Sequence, residues 1–270
     1  MKNVTEMNPF HKRALTQQEF EQDYYRDQRD FRRTRLIGVD LQGIELATLN
    51  LQGADLRLAI NLHRAVWQGA NLSQVDMRGV DLTELNLSQV VFWKAKLQAT
   101  NLTHALLTGS NLTRANLNGA NLSGALIDHA NLAYVRLQGA NLSKAVLTGS
   151  NLSFARMEQA NCAQACFTDT NLEQTKLIGV NFSDALLDRS NLNRADLAWA
   201  NLTRADLSGA SLAQAKLWQN NLYDTDFQNA NLSQADRHGA SERGVSANLS
   251  LKEIFMGNYS SQNAQQQTQG

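Results

Sequence analysis

Residues able to carry chemistry are few in this chain, and their spacing does not suit it. The histidines, His11, His63, His104, His129 and His238, form no metal-ligand spacing. None has a serine or cysteine partner for a nucleophile and base pair. Cys162 and Cys166 make a CxxxC pair, too weak a pattern to signify a site. Glycines stand singly, so no loop cradles a phosphate. The sequon pattern N-x-S/T recurs at Asn71, Asn101, Asn121 and Asn141, yet it follows automatically from a phrase, NLS or NLT, repeated along the chain. No enzyme activity, catalytic residue, cofactor or metal is expected.

What positions the side chains is a period of five. From residue 101 to 160 a large apolar residue stands at every fifth place, from Leu102, Leu107 and Leu112 to Leu152 and Met157, with a small residue such as Ala105, Ser110 or Ala115 two before it. Five residues turn an α-helix by about 500°, which would wind this set around the cylinder instead of forming a stripe. In a flat strand, apolar residues five apart would alternate faces. The chain must therefore bend in every unit, with the apolar residue (position i) and the small one (i−2) pointing inward. The twelve glycines between residues 36 and 235, among them Gly119 and Gly124, all lie at i+2, where a turn needing positive φ would put them. The one proline, Pro9, precedes the repeats.

Position i−1 faces outward and counts the sides. It is Asn or Asp at 61, 81, 101 and every twenty residues to 221; Lys or Arg at 96, 136, 156, 176 and 216; and apolar at 66, 106, 126, 146, 166 and 186. Only four units per coil stack like with like. The spacing predicts a four-sided β-helix with ten coils, about 48 Å long at a strand spacing of about 4.8 Å.

The run ADLSGA from Ala205 to Ala210 and the many copies of ANLSxA resemble the pentapeptide-repeat family, whose consensus is A(D/N)LXX, over residues 34 to about 235. The fold class expected is all-β, a quadrilateral β-helix with short helical end caps; right-handedness is implied by the resemblance alone. Some proteins of that family resemble B-DNA, bind DNA gyrase and confer quinolone resistance. They tend to be acidic, favour Phe at i and dimerise through a C-terminal helix. This chain is neutral, with 25 basic and 25 acidic residues, and has Leu at most interior positions, with Phe92, Phe167, Phe182 and Phe227 excepted. Mimicry of a phosphate lattice needs negative charge, so gyrase binding stands as the alternative. The leading function is a non-catalytic protein-protein interaction or scaffold protein.

Three segments are expected: 1–33, a tail and capping helix; 34–235, the repeats; and 236–270, a C-terminal cap and a Gln-rich disordered tail. Thr16 and Glu19 form a capping box, Phe20, Tyr24 and Phe31 share a helical face, and Arg29, Arg32, Arg33 and Arg35 suit the negative end of the dipole. Repeats begin at Leu36 and slip once, Leu62 following Leu56 by six, which places one extra residue within Arg57 to Ile60 as a bulged corner. Ser250 and Glu253 suggest a second capping box. Cysteines not expected to pair, and the lack of an apolar run of signal-peptide or membrane-spanning length, lead to the expectation that the chain is cytoplasmic, or exported by a route that leaves no such signal.

Two surface features stand out. Leu106, Leu126, Val146, Cys166 and Leu186 form an outward apolar stripe on the second face. At the corner between the third and fourth faces stand Trp93, Lys94, Arg114, Tyr134, Phe154 and Arg194, flanked by Lys96, Arg136, Arg156 and Lys176. The partner expected is another protein or a second copy of this chain; acids elsewhere weigh against nucleic acid.

Overall fold

The computed structural model describes residues 13–247. Its dominant feature is a ladder of parallel bridges joining each i−1 residue to the one twenty positions on, as in Asn101↔Asn121↔Asn141 and Leu106↔Leu126↔Val146. Four bridges complete a coil, so the solenoid is four-sided.

Each unit is built the same way. In the unit around Leu142, the Leu142 N–H donates forward to Asn161 O at 2.7 Å, the Asn141 N–H donates back to Ala120 O at 2.9 Å, and the Ala145 N–H closes a β-turn on Leu142 O at 3.0 Å. The third residue of that turn, Lys144, has φ 60°. The same left-handed value recurs at corner after corner, in residues as bulky as Phe154 and Trp199 as well as in glycine. Such a conformation costs a non-glycine residue roughly 1–2 kcal/mol, and the ladder bonds on either side offset it.

The interior is a thin column. Leu102, Leu122, Leu142 and their equivalents are fully buried, as are the i−2 alanines such as Ala105 and Ala145. At most polar i−2 positions the side chain finds a main-chain carbonyl: Thr170 Oγ1 donates to Leu147 O at 2.9 Å, Thr225 Oγ1 to Leu202 O at 2.8 Å, and Asn220 Nδ2 to Leu197 O at 2.8 Å. These groups are thereby kept from the penalty of an unmade hydrogen bond, which the buried Ser110 hydroxyl, with no partner among the described residues, still bears.

At the N-terminal end, β1 (Ala14–Leu15) pairs in parallel with β2 (Arg35–Leu36). Helix α1 (Gln17–Tyr25) follows, opened by the expected capping box between Thr16 and Glu19. Its Phe20 is buried with the column, 5.0 Å from the ring of Phe31. The helix is shorter than the sequence suggested. It ends at Tyr25, no basic residue lies in its last turn, and Phe31 belongs to the solenoid, five residues before Leu36. Asp30 already bridges Asn50, so coil geometry begins one unit earlier than Leu36.

Coil geometry also runs on to Ser246, through the bridges Lys216↔Asp236, Asn221↔Ser241 and Asp226↔Ser246. There the interior positions are Arg237 and Glu242, joined at 3.6 Å. The ladder needs only backbone groups, so it outlasts the apolar pattern. The proposed helix at Ser250 and the Gln-rich tail lie outside the described residues.

The slip is real but sits elsewhere than expected. Ile60 keeps the twenty-residue step, pairing with Asp40, whereas Glu45↔Val66, Asn50↔Asn71 and Asp55↔Asp76 are twenty-one apart. The extra residue is therefore Asn61, just past the Arg57 to Ile60 stretch, in the left-handed region at φ 55°. It opens a 3-10 turn, Leu62–Arg64, and its Nδ2 donates to Asp40 Oδ2 at 2.8 Å. Trp67, buried where most units carry Leu, donates its indole N–H to Leu62 O at 2.9 Å. Beyond this corner the bridges expected at Ile60 to Asp81 and Val66 to Asn86 are missing among the described residues.

Candidate interaction surfaces

A rod of this kind offers faces and corners, whose character follows from which columns line them. The face carrying 106, 126, 146, 166 and 186 gathers the apolar stripe into one bridged column. Leu106, Leu126 and Leu186 are exposed, Leu186 the most at 47%, while Val146 and Cys166 are half-buried. Asn86 precedes the stripe and Asp206 follows it. Val66, although apolar and exposed, is cut off from it by the break in the ladder. The Cys166 thiol lies 3.4 Å from Thr148 Oγ1 and 3.3 Å from Thr168 Oγ1.

At the next corner but one, Lys94, Arg114, Tyr134 and Phe154 occupy successive left-handed positions. The Tyr134 and Phe154 rings stack in parallel, 4.9 Å apart at 5°, the spacing that adjacent coils impose. Arg114 covers the other face of Tyr134 at 5.4 Å. Trp93 is not part of this stack. It stands beside Lys94 on one coil, with the Lys94 ammonium 4.2 Å above its ring. Arg194 is separated from the aromatics by Gln174 and donates to Gln214 Oε1 at 2.9 Å. In the flanking column, Lys96, Arg136, Arg156 and Lys176 are interleaved with Asn116 and followed by Asp196. Arg156 pairs with Glu158 at 3.1 Å and Lys216 with Asp196 at 3.2 Å. The column is thus less basic than its sequence.

Two columns of asparagine run up opposite faces and do more than meet water. Asn141 Oδ1 accepts the Ser143 N–H at 3.1 Å, which tightens the turn, and Asn141 Nδ2 donates to Asn121 Oδ1 at 3.1 Å. The chain of side-chain amides continues through Asn161, Asn181 and Asn201. Sequence reasoning saw the column but not the ladder; the twenty-residue recurrence of Asn was the available signal.

Charged groups near the break form a tighter cluster. Asp76, nearly buried, accepts from Arg78 at 2.9 Å and lies 3.7 Å from Arg57. Burial alone would raise its pKa, but the Arg78 hydrogen bonds and both guanidinium charges hold it below the usual carboxylate value. Burial pushes the Cys162 thiol well up. Among the described residues no group of three His, Cys, Asp or Glu could hold a metal ion, and no helix is long and apolar enough to cross a membrane.

The family model for pentapeptide repeats matches residues 59–93, 94–128, 127–161, 165–204 and 200–236. No curated protein matches the chain. Similar solved structures include HetL, a pentapeptide repeat protein involved in heterocyst differentiation regulation from the cyanobacterium Nostoc sp. strain PCC 7120, at 27% identity over 86% of this chain and 96% of that one, TM-score 0.40. Full-length QnrB1, a plasmid-mediated fluoroquinolone resistance protein, matches at 16% identity over 83% of this chain and 98% of its own, TM-score 0.32. Rfr23, a pentapeptide repeat protein from the cyanobacterium Cyanothece 51142, matches at 25% identity over 47% of this chain and 91% of its own, TM-score 0.26.

Proposed function

The chain belongs to the pentapeptide-repeat family, and on that premise we propose that it is a non-catalytic interaction protein, a right-handed rod presenting flat faces to another protein in the cytoplasm. Helix α1 covers the first coil, whose open edge would otherwise invite pairing. The observation that carries this reading is the apolar stripe Leu106, Leu126, Val146, Cys166 and Leu186, an ordered column of exposed and half-buried apolar side chains that water disfavours. Both cysteines are free, which suits a reducing compartment. The aromatic and basic corner is a second surface, better suited to the rim of an interface, where Tyr and Arg recur.

The test is capture of partners from the native cell with the full chain, alongside light scattering of the purified protein. The double variant Leu126→Lys, Val146→Lys keeps the rod intact, since both side chains point outward. It is expected to lose the retained protein, or to reduce the mass to that of one chain if the partner is a second copy. Unchanged capture and unchanged mass would leave the stripe as nothing more than the composition of a sheet face.

A further inference from the structure

The break in the ladder at Asn61 leaves main-chain groups without partners on both of its lips. On one lip the N–H groups of Leu62 and Trp67, and on the other those of Asp81 and Asn86, reach no acceptor among the described residues. One coil further on, the corresponding groups are satisfied, with Leu82 N–H on Asn101 O at 2.7 Å and Leu106 N–H on Leu85 O at 2.9 Å. The carbonyls that should have received them, including Asp81 O and Asn86 O, are likewise free. Each lip therefore shows donors and acceptors at strand positions.

The opening reaches the core. Leu62, Val80 and Leu85 are each 8% exposed where their equivalents elsewhere in the column are at or near zero, and Ala59 and Ala65 are only partly buried. A cavity of about 430 Å³ lies on one side of the corner and another of about 300 Å³ on the other. These volumes are at the low end for small-molecule pockets and leave room for one large side chain. Of the rim charges, Arg57 pairs with Asp55 at 2.7 Å and Asp81 accepts from the Thr83 hydroxyl at 2.6 Å. Main-chain pairing and an apolar floor are on offer.

We propose that the notch between the 60–67 and 80–87 segments is a binding site for an extended segment of a partner protein, which lays its backbone along a lip and inserts one large apolar side chain onto Leu62, Val80 and Leu85. Main-chain pairing with an open edge supplies affinity and the pocket supplies choice of side chain, the division of labour in strand addition generally. The proposal rests on the interaction-protein reading but not on the stripe, so the stripe variant leaves it untouched.

The experiment pans a phage-displayed library of random linear peptides on the full chain. Enriched sequences are expected to share one large aliphatic or aromatic residue flanked by strand-forming residues. In hydrogen exchange, the amides of Leu62, Trp67, Asp81 and Asn86 in the free chain should exchange at least tenfold faster than those of Leu82 and Leu106, and slow at least tenfold when the strongest peptide is bound. Deleting Asn61 restores the five-residue spacing and should close the ladder, weakening the peptide at least tenfold. Ala59→Phe, which fills the cavity without touching the ladder, should do the same if the deletion fails to fold. Slow exchange of the four amides in the free chain, no enrichment over the Ala59→Phe variant, or protection that maps elsewhere would each overturn the proposal.

Discussion

Truncating Leu142 tests the inward and outward assignment on which everything else depends. Leu142 is fully buried, and the backbone around it cannot close onto a vacancy, because Leu122 N–H and Leu142 N–H are both tied to the next coil at 2.7 Å. Leu142→Ala therefore loses the transfer free energy of the deleted carbons and keeps most of the cavity, about 3–4 kcal/mol within the range such substitutions span. Asn141→Ala, one residue away, removes the acceptor for the Ser143 N–H and two amide links along the column. That column is half-exposed and water replaces much of what is lost, so its cost is about 1 kcal/mol. Leu142→Asp buries an unpaired charge and should unfold the rod. Urea denaturation followed by circular dichroism measures all three. A solenoid holds each coil through its neighbours, so Leu142→Ala should also broaden the transition as the two flanking stacks uncouple. An Asn141→Ala cost equal to or greater than that of Leu142→Ala would refute the assignment.

Gly119, at φ 66° with open space where a Cβ would go, should lose about 1 kcal/mol as Ala, from backbone strain alone, and less as Asn, which tolerates the left-handed region; thermal melts of the two variants decide. Native protein should take one maleimide, on Cys166, because Cys162 is fully buried with its thiol held protonated, and two once unfolded; mass spectrometry showing early labelling of Cys162 would contradict its inward placement. The folded pKa of Asp76 is depressed, so its contribution to stability is present in full above the unfolded carboxylate value of about 3.9 and is lost as pH falls through the lower folded value. Asp76→Asn should flatten that part of the acid unfolding curve, and an unaltered curve would show that the Arg57 and Arg78 contacts carry no linkage.

The period of five was legible because the inward positions are nearly invariant in type, and the four sides because outward columns such as Asn101, Asn121 and Asn141 recur every twenty residues. Other features were hidden for physical reasons. Phe31 sits at a helical spacing from Tyr24 and at a five-residue spacing from Leu36, and only tertiary pairing through Asp30 decides between them. Arg237 and Glu242 look like the end of the repeat because the pattern tracks side chains, whereas the ladder tracks the backbone. The corner strain at Tyr134 and Phe154 was not legible from those two residues, since bulky aromatics are admitted beside glycine once flanking bonds hold the turn. Asn61 resembles a member of the Asn column, which concealed that it is the inserted residue. Of the candidate surfaces, the stripe was readable as a column, while the notch was not, because it consists of bonds that fail to form.

The near-identity of the units has a consequence for how the chain finds its alignment and how its length can change. A rod slipped by a whole coil would satisfy almost the same inward packing and the same turns, so the repeats alone do not tell one register from another. The irregular residues do: Phe20 against Phe31 at the start, and Asn61 with Trp67 two coils later, fit one place each. They act as alignment marks in an otherwise translationally symmetric message. For the same reason, gain or loss of twenty residues keeps every outer column in phase, whereas gain or loss of five keeps the core but moves Asn141 and its successors onto a neighbouring face. Lengths in such a lineage should be quantised in coils wherever an outer column matters, and in single units only where it does not.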